Sequence, residues 1–329
     1  RFLRMYPDQI GNLERSLPLY PKAVKRWIAL ARELGDIGLK VTGGLMVAED
    51  EAQFRFLAGK AERERALGLE VHMLDKAELR LVAPYLGEAI HGAELCVDEG
   101  KLDPLLANQA LRRRALAEGV VHAPETRVLG IAAAGSEFVV TTSRGEVRAG
   151  RIVIAAGAGT GALASHLGAN VPTVAEPLHM NVTEATAPLI GHLVQHADRM
   201  ITMKQLGAGQ VVIGGGWPAR FSGVDRFPTV EPDSLIGNLS LAQHVVPRLA
   251  RLRLLRTWAG VNTTTDGQCV LGAVPGHANA FVAVPGDAGY TLGPLVGDMV
   301  AAIMTGRDPG FDVRPFAVER FARRAAGSA

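Results

Sequence analysis

The chain has 329 residues, 48% of them hydrophobic, with 38 glycines and a formal net charge of +2. Such a length and apolar content suit a globular protein of one large or two smaller domains and exclude a disordered or fibrous chain. A near-neutral charge excludes the strong basic field of a nucleic-acid binder, and the arginine runs at 112–114 and 248–256 read as solvated helix faces.

Cys96 and Cys269 stand far apart, which gives neither a disulfide framework nor a zinc signature and points to a reducing, cytoplasmic setting. No signal peptide is legible, and no apolar run reaches the ~18 residues that a membrane span needs.

In chain order, Val24, Trp27, Ile28 and Ala31 recur at three and four, predicting an amphipathic helix over 21–34 that Gly35 stops. A strand is expected over 39–47, split by Gly43 and Gly44, then a charged helix over 51–67 and a short helix or turn over 79–86. Asp103-Pro104 predicts a helix start, because Asp caps free N–H groups and Pro suits the first turn. That helix is expected to run to Glu118. Short strands are expected at 120–122, 127–132, 137–142 and 146–148. A continuous apolar strand over 151–156, of the kind buried on both faces, precedes a helix over 162–167. Segments 200–204 and 210–213 flank Gly207-Ala208-Gly209 as a hairpin. A long helix over 233–249, a buried strand over 281–284 and a helix over 295–304 complete a mixed α/β pattern.

Two strand–glycine–helix units carry the chemistry. The first, Gly157, Gly159 and Ala162, satisfies GxGxxA between a strand and a helix, as a phosphate-binding turn does. An NAD site would need an acidic residue roughly 20 residues on, ending a second parallel strand. Glu176 lies near that distance, in a stretch with no evident parallel strand. Pyrophosphate binding, a turn passing near a cofactor and plain strand–helix punctuation all remain open here. In the second unit Gly286, Gly289, Gly293 and Gly297 allow close approach of the backbone. The helix after Pro294 is expected to aim its N-terminus at that loop, where it would stabilise an anion or the charge of a reduced flavin. A glycine-rich loop without a ligand is the alternative.

Trp258, Gly260, Asp266, Gly267 and Gly272, followed by Gly289-YTLGPLVG-Gly297, resemble the two C-terminal signatures of the D-amino-acid-oxidase group of flavoproteins. The resemblance runs from about Leu13 to Phe321. It implies an α/β (α+β) two-domain fold with an FAD-binding Rossmann-like domain at 1–38, 96–173 and 256–329. A substrate domain with a mainly antiparallel sheet would occupy 39–95 and 174–255. By resemblance, Gly286, Gly289, Tyr290, Thr291 and Leu292 lie beside the flavin, with Trp258 and Gly260 nearby. Ala156, Gly157 and Gly159 pass the adenosine part, and Arg127 and Val128 the adenine. No cysteine is placed to attach flavin, so the FAD is expected to be non-covalent.

Tyr290, His179 and Asn262 are the implied catalytic positions, with a structural histidine the alternative at His179; Lys204 is a candidate for meeting a carboxylate, with a solvated hairpin lysine the alternative. Two departures stand out. The group's GxGxxG turn and ribose-binding acid are missing from the sequence, which implies an absent N-terminal segment, poor FAD binding by this chain alone and an unpaired strand in the nucleotide sheet. Asn262 also stands where several amino-acid oxidases of the group carry a carboxylate-binding Arg; the flavin subunits of opine oxidase and hydrogen cyanide synthase tend to lack that Arg, so the resemblance implies their branch and a secondary-amine or glycine-like substrate. The implied activity is oxidation of the C–N bond of an amino acid or secondary amine, with a small-molecule substrate and a partner subunit or other electron acceptor; no metal and no nucleic acid are expected. The alternatives are an NAD-dependent dehydrogenase using Gly157–Ala162 and a catalytically silent fragment.

Overall fold

A computed structural model describes residues 10–223 and 226–326. The chain divides into two units. One comprises Ile28–Ala117 and Pro177–Val261; the other comprises the described residues up to Trp27, Glu118–Glu176, and the chain from Asn262.

The first unit is built on an eight-stranded sheet. Its strand order is 254–264, 174–185, 210–214, 202–205, 193–196, 44–48, 92–96, 71–74. Neighbours pair antiparallel from 174–185 through to 193–196 and again from 44–48 to 71–74, while 44–48 and 193–196 run parallel. The mainly antiparallel sheet expected for a substrate domain is therefore present. Alternating burial along Thr202–Gln205 and Leu193–His196 turns Met203 and Val194 inward, onto Leu45, Val47, Val211 and Ile213. Helix Pro232–Val245 closes this core with Leu241, Ala242 and Val245. Helix Glu51–Ala66 starts where Asp50 accepts from Gln53 N, and helix Lys76–Val82 starts on a capping box of Asp75 and Glu78.

The second unit has a three-stranded sheet, Val270–Val274, His277–Val284 and Ile152–Ile154, and a meander of Val128–Ala134, Glu137–Thr142 and Gly145–Ala149. Val270, Val282 and Val284 face one core with Ile154, Ala164 and Leu167; Leu271 and Phe281 face another with Leu292, Val296 and Met299. Strand alternation feeds both cores from one sheet.

Four expectations need correction. Strand Ile152–Ile154 is short and pairs, among the described residues, only with His277–Val284; lacking a second neighbour, it leaves Val153 41% exposed rather than buried on both faces. Residues 120–122 form no strand, because no described strand pairs with them, and Val121 is 92% exposed. Pro247 ends the long helix at Val245 and starts a separate 3-10 turn, Pro247–Arg251. Segment 96–117, expected with the nucleotide half, falls in the sheet-rich unit, since Lys101 exchanges backbone hydrogen bonds with Lys40 and Asp103 N donates to Ile37 O.

Candidate functional site

Strands Ile152–Ile154 and His277–Val284 are parallel neighbours, with Val282 opposite Ile154. Their carboxyl ends therefore emerge side by side, the place where open α/β sheets bind ligands. Each end runs into a glycine-led 3-10 turn, Gly157–Gly159 and Gly286–Ala288. The leading glycines take φ of +55° and +75°, a left-handed conformation that other residues rarely adopt.

Segment 262–268 lines both turns. A Cβ on Gly157 would sit 3.2 Å from Thr263 Oγ1; one on Gly286 would meet Gln268 O at 3.2 Å and Thr265 Oγ1 at 3.3 Å. Asn262 Nδ2 donates to Asp287 Oδ1 at 2.9 Å and to Glu176 Oε2 at 3.3 Å. Its amide therefore serves two carboxylates of the protein. Asp266 acts structurally. The buried Asp266 carboxylate accepts from Arg320 Nη2 at 2.7 Å and Nε at 3.1 Å, while Asn12 Nδ2 donates to the Asp266 backbone O at 2.9 Å.

The glycines separate into two kinds. A Cβ on Gly161 would collide with the Val171 carbonyl, so this position is held by packing of the helix start on the loop at 171–173. Gly159 is exposed, and a Cβ there would meet only Ala156 at 3.8 Å; at Gly289 and Gly293 a Cβ would meet nothing within 4 Å. Those three positions leave backbone open to a flat neighbour.

The topology overturns the NAD reading of Gly157–Ala162. The strand after it, Val174–Ala185, joins the eight-stranded sheet antiparallel to Gln210–Gly214 rather than lying parallel beside Ile152–Ile154. Glu176 bonds Asn262 instead of closing a ribose site.

Helix Gly289–Met304 begins at the turn itself, not after Pro294, which lies inside it. Gly289, Tyr290, Thr291 and Leu292 thus form the first turn, whose N–H groups have no carbonyl in the preceding turn of the helix. No side chain caps that end. Leu292 is 2% exposed in the apolar core, so only its backbone can face a ligand. The Tyr290 ring stacks on Trp27 with centroids 5.4 Å apart and planes 2° from parallel.

Gln268, which the sequence did not single out, is buried beside the Gly286 turn, and neither atom of its amide has a hydrogen-bond partner. An uncapped helix start, open glycines and an orphaned buried amide together fit the polar edge of a flavin.

Arg127 is exposed and joins Ser143 through its backbone, N–H to Oγ at 3.0 Å and O from N–H at 2.8 Å; Val128 packs against the apolar core. In the sheet-rich unit His179 is fully buried. Its Nε2 lies 2.5 Å from Thr257 Oγ1, and that hydroxyl donates to Met180 O at 3.2 Å. The imidazole therefore donates from Nε2, and burial lowers its pKa, keeping it neutral. These are contacts within the sheet-rich unit. Trp258 is half-buried with the Arg256 guanidinium 6.0 Å from its ring, and a Cβ on Gly260 would meet nothing within 4 Å.

Lys204 donates to Leu102 O at 3.1 Å, and burial depresses its pKa, so it is not a solvated hairpin lysine. Lys101 is buried too, donating to Gly191 O at 2.7 Å, with its pKa lowered to about 8 by burial and then by Lys40 and Lys204. Nothing in its sequence context signals this.

The DAO family, described as FAD dependent oxidoreductase, matches residues 3–303. The chain belongs to this family. It is 28% identical over 321 residues to a glycine oxidase of Geobacillus kaustophilus, covering 94% of this chain and 84% of the relative. It is 25% identical over 329 residues to a sarcosine oxidase subunit beta of Arthrobacter sp, covering 94% and 78%. The crystal structure of glycine oxidase from Geobacillus kaustophilus superposes with a TM-score of 0.84 at 26% identity, covering 92% of this chain and 82% of that one. L-proline dehydrogenase from P. horikoshii shares the fold, with a TM-score of 0.84 at 23% identity over 93% and 83% of the two chains. The protein is an FAD-dependent oxidoreductase with the mixed α/β fold of this family. No helix among the described residues is long and apolar enough to cross a membrane.

Proposed function

We propose that the protein oxidises the C–N bond of a small amino acid or secondary amine, with the paired turns at 157–159 and 286–288 and the start of helix Gly289–Met304 lining a non-covalently held FAD. The observation that carries this reading is the adjacency of those turns at the carboxyl ends of two parallel strands. Similarity to a glycine oxidase and to a sarcosine oxidase subunit supports the substrate class.

FAD, when bound, would supply the hydride acceptor for oxidation of the substrate's Cα–N bond to an imine, which water would hydrolyse. This chain's residues do the rest. The N–H groups of Gly289, Tyr290 and Thr291 stabilise negative charge at the helix mouth. Gly289 and Gly293 admit a flat ring system against the backbone. Asn262 holds the Asp287 turn and leaves a substrate carboxylate to be recognised elsewhere, which favours a glycine-like or secondary-amine substrate. Tyr290, 39% exposed at the helix start, borders the reacting edge.

Anaerobic mixing of the flavin-loaded, full-length protein with glycine, sarcosine and larger N-alkyl amino acids tests the reading. Bleaching of flavin absorbance by at least one of them, with release of the matching carbonyl product, is expected. No bleaching by any amine or amino acid contradicts it.

A further inference from the structure

In an α-helix the N–H of residue 294 would donate to the carbonyl of residue 290. Pro294 has no N–H, so the helix itself leaves Tyr290 O without that bond. Trp27, on helix Leu19–Leu34, supplies the donor: its Nε1 lies 3.1 Å from Tyr290 O and 3.2 Å from Thr291 O. The same indole stacks flat on the Tyr290 ring. One side chain thus replaces the missing backbone bond and fixes the ring beside it. These contacts fall on the first turn, the part of the helix that frays most readily.

We infer that Trp27 is a positioning residue for the flavin, holding the N–H groups of Gly289–Thr291 in register with the cofactor through the carbonyl to which Pro294 has no N–H to donate. The inference rests on the proposed function, in which that turn faces the flavin. Trp27 touches neither cofactor nor substrate in this account. It acts through the Tyr290 and Thr291 backbone.

The test is a double-mutant cycle in the full-length protein. Trp27→Phe keeps a ring for stacking and removes the N–H. Pro294→Ala returns a backbone N–H to Tyr290 O, which makes the indole bond redundant. Three readouts are followed: amide exchange over 286–297 in the flavin-free protein, the dissociation constant for FAD, and the flavin midpoint potential.

Trp27→Phe is expected to speed exchange over 286–297 and to weaken FAD binding about 3- to 10-fold, the effect of one hydrogen bond. It should also lower the midpoint potential, because a frayed turn stabilises the reduced flavin less. In the Pro294→Ala background the same change should have little effect on any of the three.

Faster exchange with unchanged affinity and potential would make Trp27 a purely structural residue and overturn the inference while leaving the flavin reading intact. An effect of equal size in both backgrounds would overturn the hydrogen-bond account. Wild-type protein that binds no FAD would remove the functional reading and this inference with it, whatever the exchange rates.

Discussion

Asn262 donates its amide to Asp287 at 2.9 Å, fastening the end of strand Leu254–Thr264 to the turn that opens helix Gly289–Met304. A second contact to Glu176 at 3.3 Å places this one amide between two acids. Asn262→Asp would put a third carboxylate there and remove the donor. A loss of about 1–3 kcal/mol is expected from the unsatisfied and repelling acceptors. Urea unfolding checks it, and a variant as stable as the wild type would show that the amide is not needed there.

Asp266 and Arg320 form a buried ion pair, with side chains 7% and 13% exposed. Arg320 also donates to Phe316 O at 2.6 Å and Cys269 O at 3.1 Å, which ties helix Glu319–Ala326 to the sheet edge. Asp266→Asn leaves the guanidinium short of a counter-charge and is expected to cost about 3–5 kcal/mol, as breaking a buried pair does. Thermal melts of the two proteins give the comparison.

Two glycines separate packing from binding. Gly161→Ala drives a methyl into the Val171 carbonyl and is expected to prevent stable folding. Gly289→Ala meets open space in a helical first turn, so the flavin-free protein should gain about 0.5–1 kcal/mol. The same methyl should weaken FAD binding by about tenfold or more, because it occupies space meant for the ring. Equal FAD affinity in wild type and Gly289→Ala would place the cofactor elsewhere.

A pH dependence is built into the sheet-rich unit. Lys60 Nζ bridges Glu64 Oε1 at 2.7 Å and Glu94 at 2.7 and 2.9 Å. Burial, followed by the hydrogen bond to Glu64, pushes the Glu94 carboxyl up to about 8. Glu99 close by is pushed up to about 7, chiefly by burial. A raised carboxyl pKa means that the folded state holds the proton more tightly than the unfolded chain. The stabilisation is whole below the unfolded value near 4.5 and is lost progressively as pH rises through 8. Glu94→Gln should flatten the fall in melting temperature between pH 5 and 8; an unchanged slope would rule out Glu94 as the source.

Much of this was legible because local chemistry announced it. Asp103-Pro104 marked the start of helix Pro104–Ala117, and the hairpin residues around Gly207 and Gly209 separated strands Thr202–Gln205 and Gln210–Gly214. The first turn of helix Gly289–Met304 begins earlier than the sequence suggests because Pro294 looks like a first-turn proline; the donor to the Tyr290 carbonyl that the proline lacks is on Trp27, distant in sequence. Residues 120–122 carry strand-forming side chains, but a strand also needs a neighbour. The Asn262–Asp287 and Asp266–Arg320 contacts join segments whose approach no local pattern encodes. The burial of His179 follows from which face of Val174–Ala185 it occupies, and register alone sets that face.

Whether the glycine turns at 157–159 and 286–288, with the helix start at Gly289, face a flavin is open to a binding test. Equilibrium titration of the full-length protein with FAD, followed by quenching of FAD fluorescence and set beside a parallel titration of NADH, tests it most directly. Saturable FAD quenching that Gly289→Ala weakens, with no saturable change on NADH, is the expected result. NADH binding without FAD binding would contradict it.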